Sequence, residues 1–217
     1  TTPLEEIEFI NEARRLNQDA ARRSLEGNYG HQLGKALTRP LGRGIMGESI
    51  FSHILSSTSC ACDARMAGAM IPVMSNSGSG NQGICATNPV VVFAEENHNT
   101  AEEMTRALML SHLTAIYIKL NLGTLSALCG CVVAATGSSC GITYLMGKNP
   151  DRQLVRQLQQ TGIQSAGAIK QHGRLQEIIS RSQFPADGQG NGYLIVRTLF
   201  YRQCTAMESC NVQRNRD

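Results

Sequence analysis

The sequence predicts a mainly α protein, a compact helical domain with buried helices of small residues at its centre. Apolar residues recur at helical rather than strand spacing in several segments. Hydrophobic residues make up 41% of the 217 positions, yet aromatic residues only 5%, and 21 residues are Gly. This composition can bury one core and favours tight helix packing. We expect one helical domain over residues 1–182 and a divergent C-terminal tail over residues 183–217.

Charge and composition argue against some classes of function. The formal net charge is only +3, and the Lys and Arg residues are scattered, so we expect no nucleic-acid partner. The N-terminus has no charged-then-apolar signal segment. The eight cysteines are therefore expected as reduced thiols in the cytoplasm, where they serve as metal ligands or as small core residues.

The first third of the chain divides into three predicted segments. Residues 4–26 have the apolar spacing of an amphipathic helix that ends before Gly27. Residues 27–47 contain six Gly and Pro40, which predicts an irregular connection. Residues 48–59 are apolar and fit either a helix or a strand.

A polar stretch follows within a long uncharged region between Arg65 and Glu95. Its centre, residues 74–83, is made almost entirely of Ser, Gly, Asn and Gln. Such a composition is also typical of a solvated linker. The flanking segments are apolar, which favours a loop held inside the domain or at a cleft.

A capping box at Thr100 and Glu103 predicts a helix over residues 101–120. Its predicted buried face carries Met104, Leu108, Ala115 and Ile116, with His112 beside them. A histidine on such a face is more often a hydrogen-bonded core residue than a ligand.

A second uncharged stretch lies between Lys119 and Lys148. It is rich in Ala, Gly, Ser, Thr and Cys, which predicts a buried central helix rather than a membrane span. Gly137 and Gly141 would allow close approach of another helix. After Pro150 the spacing of apolar residues indicates a further amphipathic helix, and a short β-like run covers residues 193–200 near the C-terminus.

The polar stretch has features of an anion-binding site. Glycines permit positive φ, so that successive backbone N–H groups can converge on a carboxylate or phosphate. The side chains of Ser75, Asn76, Ser77, Ser79 and Asn81 add neutral donors and acceptors suited to an amino acid. No Gly-Lys-Ser/Thr follows, so the segment does not match a phosphate loop.

The cysteine spacing alone does not define a metal site. The pairs Cys60–Cys62 and Cys129–Cys131 are closer in sequence than the usual zinc-binding pairs. Cys140 fits equally well as a small residue between helices. No complete four-thiolate cluster motif is present.

Several longer blocks carry a family resemblance. They are Cys62-Asp63-Ala64-Arg65-Met66, the segment 72–84, the segment 106–119, and residues 125–142 with Leu128-Cys129-Gly130. Together, and in this order, they resemble the L-cysteine desulfidase and YhaM-like (UPF0597) proteins of the serine dehydratase α-domain group. The resemblance is strongest over residues 5–147.

The resemblance implies a mainly helical domain that catalyses β-elimination from L-cysteine or L-serine. The products are pyruvate and ammonia, with sulfide released from cysteine. The family uses a [4Fe–4S] cluster with three Cys ligands, whose open iron stabilises the leaving group. It also implies a small amino acid as ligand, while the composition of residues 119–148 leads us to expect no membrane partner.

Family roles carry over to particular positions of this sequence. The substrate-carboxylate loop matches Ser75, Asn76, Ser77, Gly78, Ser79, Gly80 and Asn81, and the first cluster ligand matches Cys129. Asp63, Arg65, His112 and Lys119 match motif positions that would line the site. A buried ion pair and helix-face packing are the alternative roles for these four residues.

The sequence also departs from the family pattern. A Met-Ile-Cys-Asp-Gly-Ala-Lys segment with cluster ligands is expected where residues 166–173 read Ala-Gly-Ala-Ile-Lys-Gln-His-Gly. The family's N-terminal half, with its Gly-Cys-Thr-Glu-Pro segment and catalytic base, has no counterpart. We therefore expect part of a longer enzyme, completed by a missing half or partner chain, with a homodimer as a further arrangement. The alternatives are a non-catalytic amino-acid-binding remnant and a truncated inactive homologue.

Overall fold

A computed structural model describes residues 2–122 and 130–147 of the chain. Two 3-10 turns, Leu4–Glu6 and Glu8–Ile10, precede the helices. The helices are α1 (Asn11–Glu26), α2 (Leu33–Thr38), α3 (Pro40–Met46), α4 (Ile50–Met66), α5 (Gly80–Glu96), α6 (Ala101–Leu122) and α7 (Gly130–Met146). Over these ranges the fold is all helical, as predicted. The helix predicted after Pro150, the β-like run and the tail 183–217 lie outside the described residues.

Helices α5 and α7 form the centre of the domain. Almost every residue of each is buried, so neither has a polar face. Helix α6 packs against both, and α4 and α1 also pack against α5. The shared core contains Ile54, Val90, Leu108 and Ile142. None of the helices in the described ranges is both long and apolar enough to cross a membrane.

The N-terminal third differs from the prediction in two respects. The helix over residues 4–26 begins only at Asn11, because the preceding residues form 3-10 turns. The prediction of an irregular connection over residues 27–47 is wrong, because this segment contains α2 and α3. Pro40 starts α3, where its missing N–H costs nothing. Gly34 lets α2 lie directly on α4, because a Cβ there would overlap Cys60.

The choice between helix and strand for residues 48–59 is resolved as helix α4. Ser49 and Ser52 form a capping box, in which Ser49 N–H donates to Ser52 Oγ at 3.0 Å and Ser52 N–H donates to Ser49 Oγ at 3.3 Å. These bonds satisfy two backbone donors at the helix start. The residues at the start of α4 thus contain the local signal for a helix.

The predicted capping box of α6 is confirmed. Thr100 N–H donates to Glu103 Oε2 at 2.9 Å, and Glu103 N–H donates to Thr100 Oγ1 at 3.2 Å. The predicted burial of Ile116 is wrong, because 38% of this residue is exposed. Ile118 is buried instead, since it lies three residues after Ala115 and so on the same helix face.

The two glycines of α7 allow close helix contact, as predicted. A Cβ on Gly137 would lie 2.5 Å from the carbonyl oxygen of Ser111 on α6. A Cβ on Gly141 would lie 2.9 Å from the carbonyl oxygen of Ala107. The backbones of α6 and α7 therefore approach each other over about one helical turn.

Gly137→Ala should lower the free energy of unfolding by about 1–3 kcal/mol, because the added methyl meets the backbone of α6. Chemical denaturation would measure this loss. Gly44→Ala is a matched control, since a Cβ at Gly44 meets nothing within 4 Å. It should leave stability unchanged or raise it by up to about 1 kcal/mol. Equal losses in both variants would contradict close packing at Gly137.

Candidate functional site

The polar segment contains a tight two-residue turn. Asn76 N–H donates to Ser79 O at 3.1 Å, and Ser79 N–H donates to Asn76 O at 3.0 Å. Between them Ser77 and Gly78 both have positive φ, 49° and 82°. This is the pattern of a type I′ turn, for which Gly is suited at the second central position. The segment is therefore an ordered turn, which is inconsistent with a flexible linker.

Helix α5 begins inside the stretch predicted as a loop. Ser79 is its N-cap, with Oγ accepting from Gln82 N–H at 3.3 Å, and Gly80 is its first residue. The loop therefore ends at Ser79 rather than at Gly83. The N–H groups of Gly80 and Asn81 have no acceptor within the helix and lie where its dipole favours an anion.

Arg65, at the end of α4, lies beside this helix start. Its Nη1 donates to Asn81 Oδ1 at 3.1 Å. Its guanidinium also lies over Gly80, where a Cβ would overlap Nε. The absence of a side chain at Gly80 thus brings an exposed cation next to the first N–H groups of α5.

Asn76 anchors the turn to α6. Its Nδ2 donates to His112 Nδ1 at 3.1 Å and to the backbone carbonyl of His112 at 3.2 Å. Its Oδ1 accepts from Ser77 Oγ and from Gln82 Nε2, both at 2.9 Å. Because a carbonyl oxygen only accepts, the Asn76 amide has one orientation, and His112 Nδ1 must be an acceptor.

The other side of the His112 ring fixes its tautomer. Nε2 lies 3.0 Å from Thr87 Oγ1. That hydroxyl donates its only proton to Gly83 O at 2.7 Å and accepts from Asn17 Nδ2 at 2.9 Å. His112 Nε2 must therefore donate, so that the ring is neutral with its proton on Nε2.

Burial lowers the pKa of His112 to about 4. Protonation of His112 at Nδ1 would also place a new N–H against the Asn76 Nδ2 donor, so that two donors would face each other. Because both ring nitrogens are occupied and the pKa is low, His112 is poorly suited to remove a proton from a substrate near pH 7. The geometry agrees with the interpretation of His112 as a hydrogen-bonded core residue.

Asn17 holds the beginning of the loop. Its Oδ1 accepts from Met74 N–H at 2.8 Å, while its Nδ2 donates to Thr87. Gly83 completes the contact, because a Cβ there would overlap the carbonyl of Met74. Sequence reasoning did not identify Asn17, Thr87 or Gln82 as part of the site. The sequence position of Asn17 could have indicated its buried role, because this polar residue lies between Ala13 and Ala20 on the apolar face of α1.

Gln82 connects the turn with the start of α7. The residue is only 2% exposed, and its Nε2 donates to Asn76. Its Oε1 faces Gly130, where a Cβ would lie 2.8 Å from that oxygen. Gly130 directly follows Cys129 in the sequence, although Cys129 itself lies outside the described residues.

Asp63 bonds to a different helix start, and Lys119 lies near the end of α6. Asp63 Oδ2 accepts from Gly34 N–H at 3.2 Å at the start of α2, and burial raises the pKa of its carboxyl. Within the described ranges Asp63 forms no ion pair with Arg65, so the structure does not support that alternative. Lys119 is half-buried in the last turn of α6, two turns beyond His112.

The described residues do not fit an iron–sulfur cluster. Over the described ranges no group of three or more Cys, His, Asp or Glu side chains is arranged to hold a metal ion. Burial raises the pKa of the Cys60 and Cys140 thiols to about 12, which disfavours the thiolate form that ligates metal. Cys131 is also buried, on α7.

Comparison with known proteins decides the family. The family model described as serine dehydratase alpha chain matches residues 1–157. The chain belongs to this family. It is 72% identical over 149 residues to a UPF0597 protein of Bacteroides thetaiotaomicron, covering 69% of this chain and 35% of the relative. A UPF0597 protein of Phocaeicola vulgatus is 73% identical over 148 residues, covering 68% and 34% of the two chains.

More distant relatives carry the same name. A UPF0597 protein of Porphyromonas gingivalis is 62% identical over 146 residues, covering 67% of this chain and 34% of the relative. The chain thus spans about a third of the length of the curated relatives it matches. No solved structure matches it. The resemblance inferred from residues 5–147 to the UPF0597 branch of the serine dehydratase alpha family is confirmed.

The neutral His112 should make stability depend on pH. The unfolded chain binds a proton at this residue below about pH 6.5, whereas the folded chain resists it down to about pH 4. The free energy of unfolding should therefore fall by about 3 kcal/mol as the pH falls through this window. Urea unfolding at several pH values would measure it, with His112→Gln as the variant in which the drop is absent. Equal pH profiles of the free energy of unfolding for wild type and His112→Gln would contradict a neutral buried His112.

Asn76→Ala should lower the free energy of unfolding by about 2–4 kcal/mol, because it leaves His112 and Gln82 with unsatisfied buried groups. Thermal and urea unfolding would measure the loss. Asn97→Ala is the control, since the Asn97 side chain makes an exposed bond to Asn99. It should change stability by less than about 0.5 kcal/mol. Similar losses of unfolding free energy in Asn76→Ala and Asn97→Ala would show that the buried hydrogen bonds of Asn76 contribute little to stability.

Proposed function

We propose that this chain is part of an amino-acid β-elimination lyase that acts on L-cysteine or L-serine. The observation that carries the proposal is the ordered turn at the start of α5, next to the Arg65 guanidinium. Family membership supports the reaction class, because the matching model describes a serine dehydratase alpha chain. The relatives' own name assigns no reaction.

In this proposal the segment from Ser75 to Asn81, which spans the turn and the first residues of α5, binds the substrate carboxylate. The N–H groups of Gly80 and Asn81 donate to it, and Arg65 supplies the opposite charge. Ser77 and Gly78, both exposed in the turn, shape the rim of the site. The buried network below the turn holds these donors in position before the substrate arrives, which reduces the entropy cost of binding.

The overall reaction removes the Cα proton and the β-substituent of the substrate. From L-cysteine it gives hydrogen sulfide and aminoacrylate, which water converts to pyruvate and ammonia. From L-serine the β-hydroxyl leaves as water. No described residue is assigned as the base, and His112 is not proposed for this role.

For the family's [4Fe–4S] cluster, the ligands that we propose in this chain all lie outside the described ranges. Cys129 is the proposed first ligand. The other thiolates would come from Cys204, Cys210 or a partner chain such as a missing half of the enzyme. We derive no step through the cluster, because the described residues do not fit it.

A second candidate is a non-catalytic protein that binds small amino acids. It is favoured by two observations together, the intact turn with Arg65 and the lack of a three-ligand group over the described ranges. In this case the chain would bind L-cysteine or L-serine without converting it.

One experiment separates the two candidates. Iron and acid-labile sulfide are measured after anaerobic reconstitution of the full chain, followed by pyruvate release from L-cysteine and L-serine. A stoichiometric four-iron cluster with pyruvate release is expected for the lyase. Amino-acid binding without cluster or pyruvate would show that this chain by itself acts as the binding protein. The absence of both binding and turnover would contradict both candidates.

Arg65→Gln should weaken binding of L-cysteine about three- to tenfold, because it removes the positive charge beside the α5 start. Isothermal titration calorimetry would measure the dissociation constant. Arg22→Gln on α1 removes another exposed charge, one that pairs with Asp19 and Glu26, and should have no effect. Raising the salt concentration should weaken binding to the wild type more than to Arg65→Gln. Equal affinity of the wild type and Arg65→Gln would rule out Arg65 as a carboxylate ligand.

A further inference from the structure

Met66, the last residue of α4, places its sulfur among the polar side chains at the start of α5. Its Sδ accepts from Asn81 Nδ2 at 3.3 Å and from Arg65 Nη1 at 3.6 Å. The same Nη1 carries two hydrogens and also donates to Asn81 Oδ1 at 3.1 Å. The three side chains therefore contact one another in a closed set, in which the thioether sulfur is the weaker of the two acceptors.

The partners of the Arg65 guanidinium in the described part of the chain are both neutral. They are the Asn81 amide oxygen and the Met66 sulfur, and within the same ranges no carboxylate forms an ion pair with Arg65. Neutral acceptors leave the positive charge available to an anionic ligand. A stronger acceptor at the sulfur would engage the guanidinium and compete with such a ligand.

Oxidation of the thioether to a sulfoxide creates such an acceptor. Met66 is open to a dissolved oxidant, since 46% of the residue is exposed. With hydrogen peroxide, a sulfur lone pair forms the S–O bond while the O–O bond breaks. The proton on the transferred oxygen passes to the departing hydroxide, which leaves as water. Sulfur loses two electrons, the peroxide gains them, and a flexible apolar side chain becomes polar.

We propose that Met66 is an oxidation site, and that its sulfoxide oxygen binds Arg65 and Asn81 and thereby weakens carboxylate binding at the start of α5. This inference rests on the proposed function, because it assumes that Arg65 attracts the carboxylate of an amino acid. Reduction of the sulfoxide would restore the site, so that the modification is reversible.

The first measurement follows the modification itself. The full chain is treated with hydrogen peroxide, the excess is removed with catalase, and dithiothreitol returns reversibly oxidised thiols to the reduced form. Mass spectrometry should then find Met66 as the sulfoxide. The side-chain amide signals of Asn81 in NMR spectra should shift on oxidation of wild type but not of Met66→Leu, because leucine takes up no oxygen.

The second measurement follows ligand binding. Calorimetry under reducing, anaerobic conditions measures the affinity for L-cysteine and L-serine before and after peroxide treatment. Oxidation should weaken binding to wild type about three- to tenfold, the factor expected for loss of the Arg65 charge. The loss should persist in dithiothreitol and be reversed by methionine sulfoxide reductases, which separates it from thiol oxidation.

Three variants separate Met66 from other oxidisable groups. In Met66→Leu, peroxide should change the affinity less than about twofold, because the oxidisable sulfur is gone. Met70→Leu is the matched control, since Met70 is 97% exposed and its replacement should leave the peroxide response of wild type intact. In Arg65→Gln the response should be largely lost, because the charge that the sulfoxide would engage is removed.

A loss of affinity that follows Met66 oxidation and disappears in Met66→Leu and Arg65→Gln supports the assignment. Three results would overturn it while the carboxylate site stands. They are a Met66 that stays reduced when Met70 is oxidised, Asn81 signals that do not move, and equal losses of affinity in wild type and Met66→Leu. If wild type binds neither amino acid before oxidation, the proposed function itself is wrong, and the regulatory role of Met66 falls with it.

Discussion

The hydrogen bonds between Asn76 and His112 are the constraint on which the candidate site depends. They join a surface turn to the buried face of α6 and determine the orientation of two side-chain amides and one imidazole ring. Every polar atom of Asn76 is used. A network of this kind is stable only when each member has its partner, because an unpaired polar group in the interior is costly. The neutral state of His112 follows from the same requirement.

Close packing of the surrounding helices makes this network possible. Gly137 and Gly141 bring α7 against α6, and Gly83 brings α5 against the loop that begins at Met74. The central helices therefore form a closely packed base, whereas Ser77 and Gly78 of the turn, and Arg65, are exposed. A turn with buried support can hold its geometry without a ligand. The same glycines make the site sensitive to small substitutions far from the ligand.

Much of the fold could be predicted because its signals are local. The capping box at Thr100, the end of α1 before Gly27 and the small residues of α7 each act within a few positions. The prediction failed where distant contacts decide, as for α2 and α3, which are short and held largely by α4. Burial of Ile116 was mispredicted because the pattern alone did not fix which face of α6 meets α5 and α7. In the site, the turn was recognised from its residues, but Asn17, Thr87 and Gln82 come from other positions of α1 and α5.

The sequence by itself determined the helical class, the family and the segment that forms the turn, since composition, spacing and long collinear motifs are properties of the linear chain. Only the tertiary structure decided where α5 begins, that Asp63 binds the start of α2, and that His112 supports the turn as a neutral ring. These outcomes depend on which donors and acceptors meet across helices. Hydrogen bonds between residues such as Asn17 and Thr87, seventy positions apart, leave no periodic trace in the sequence.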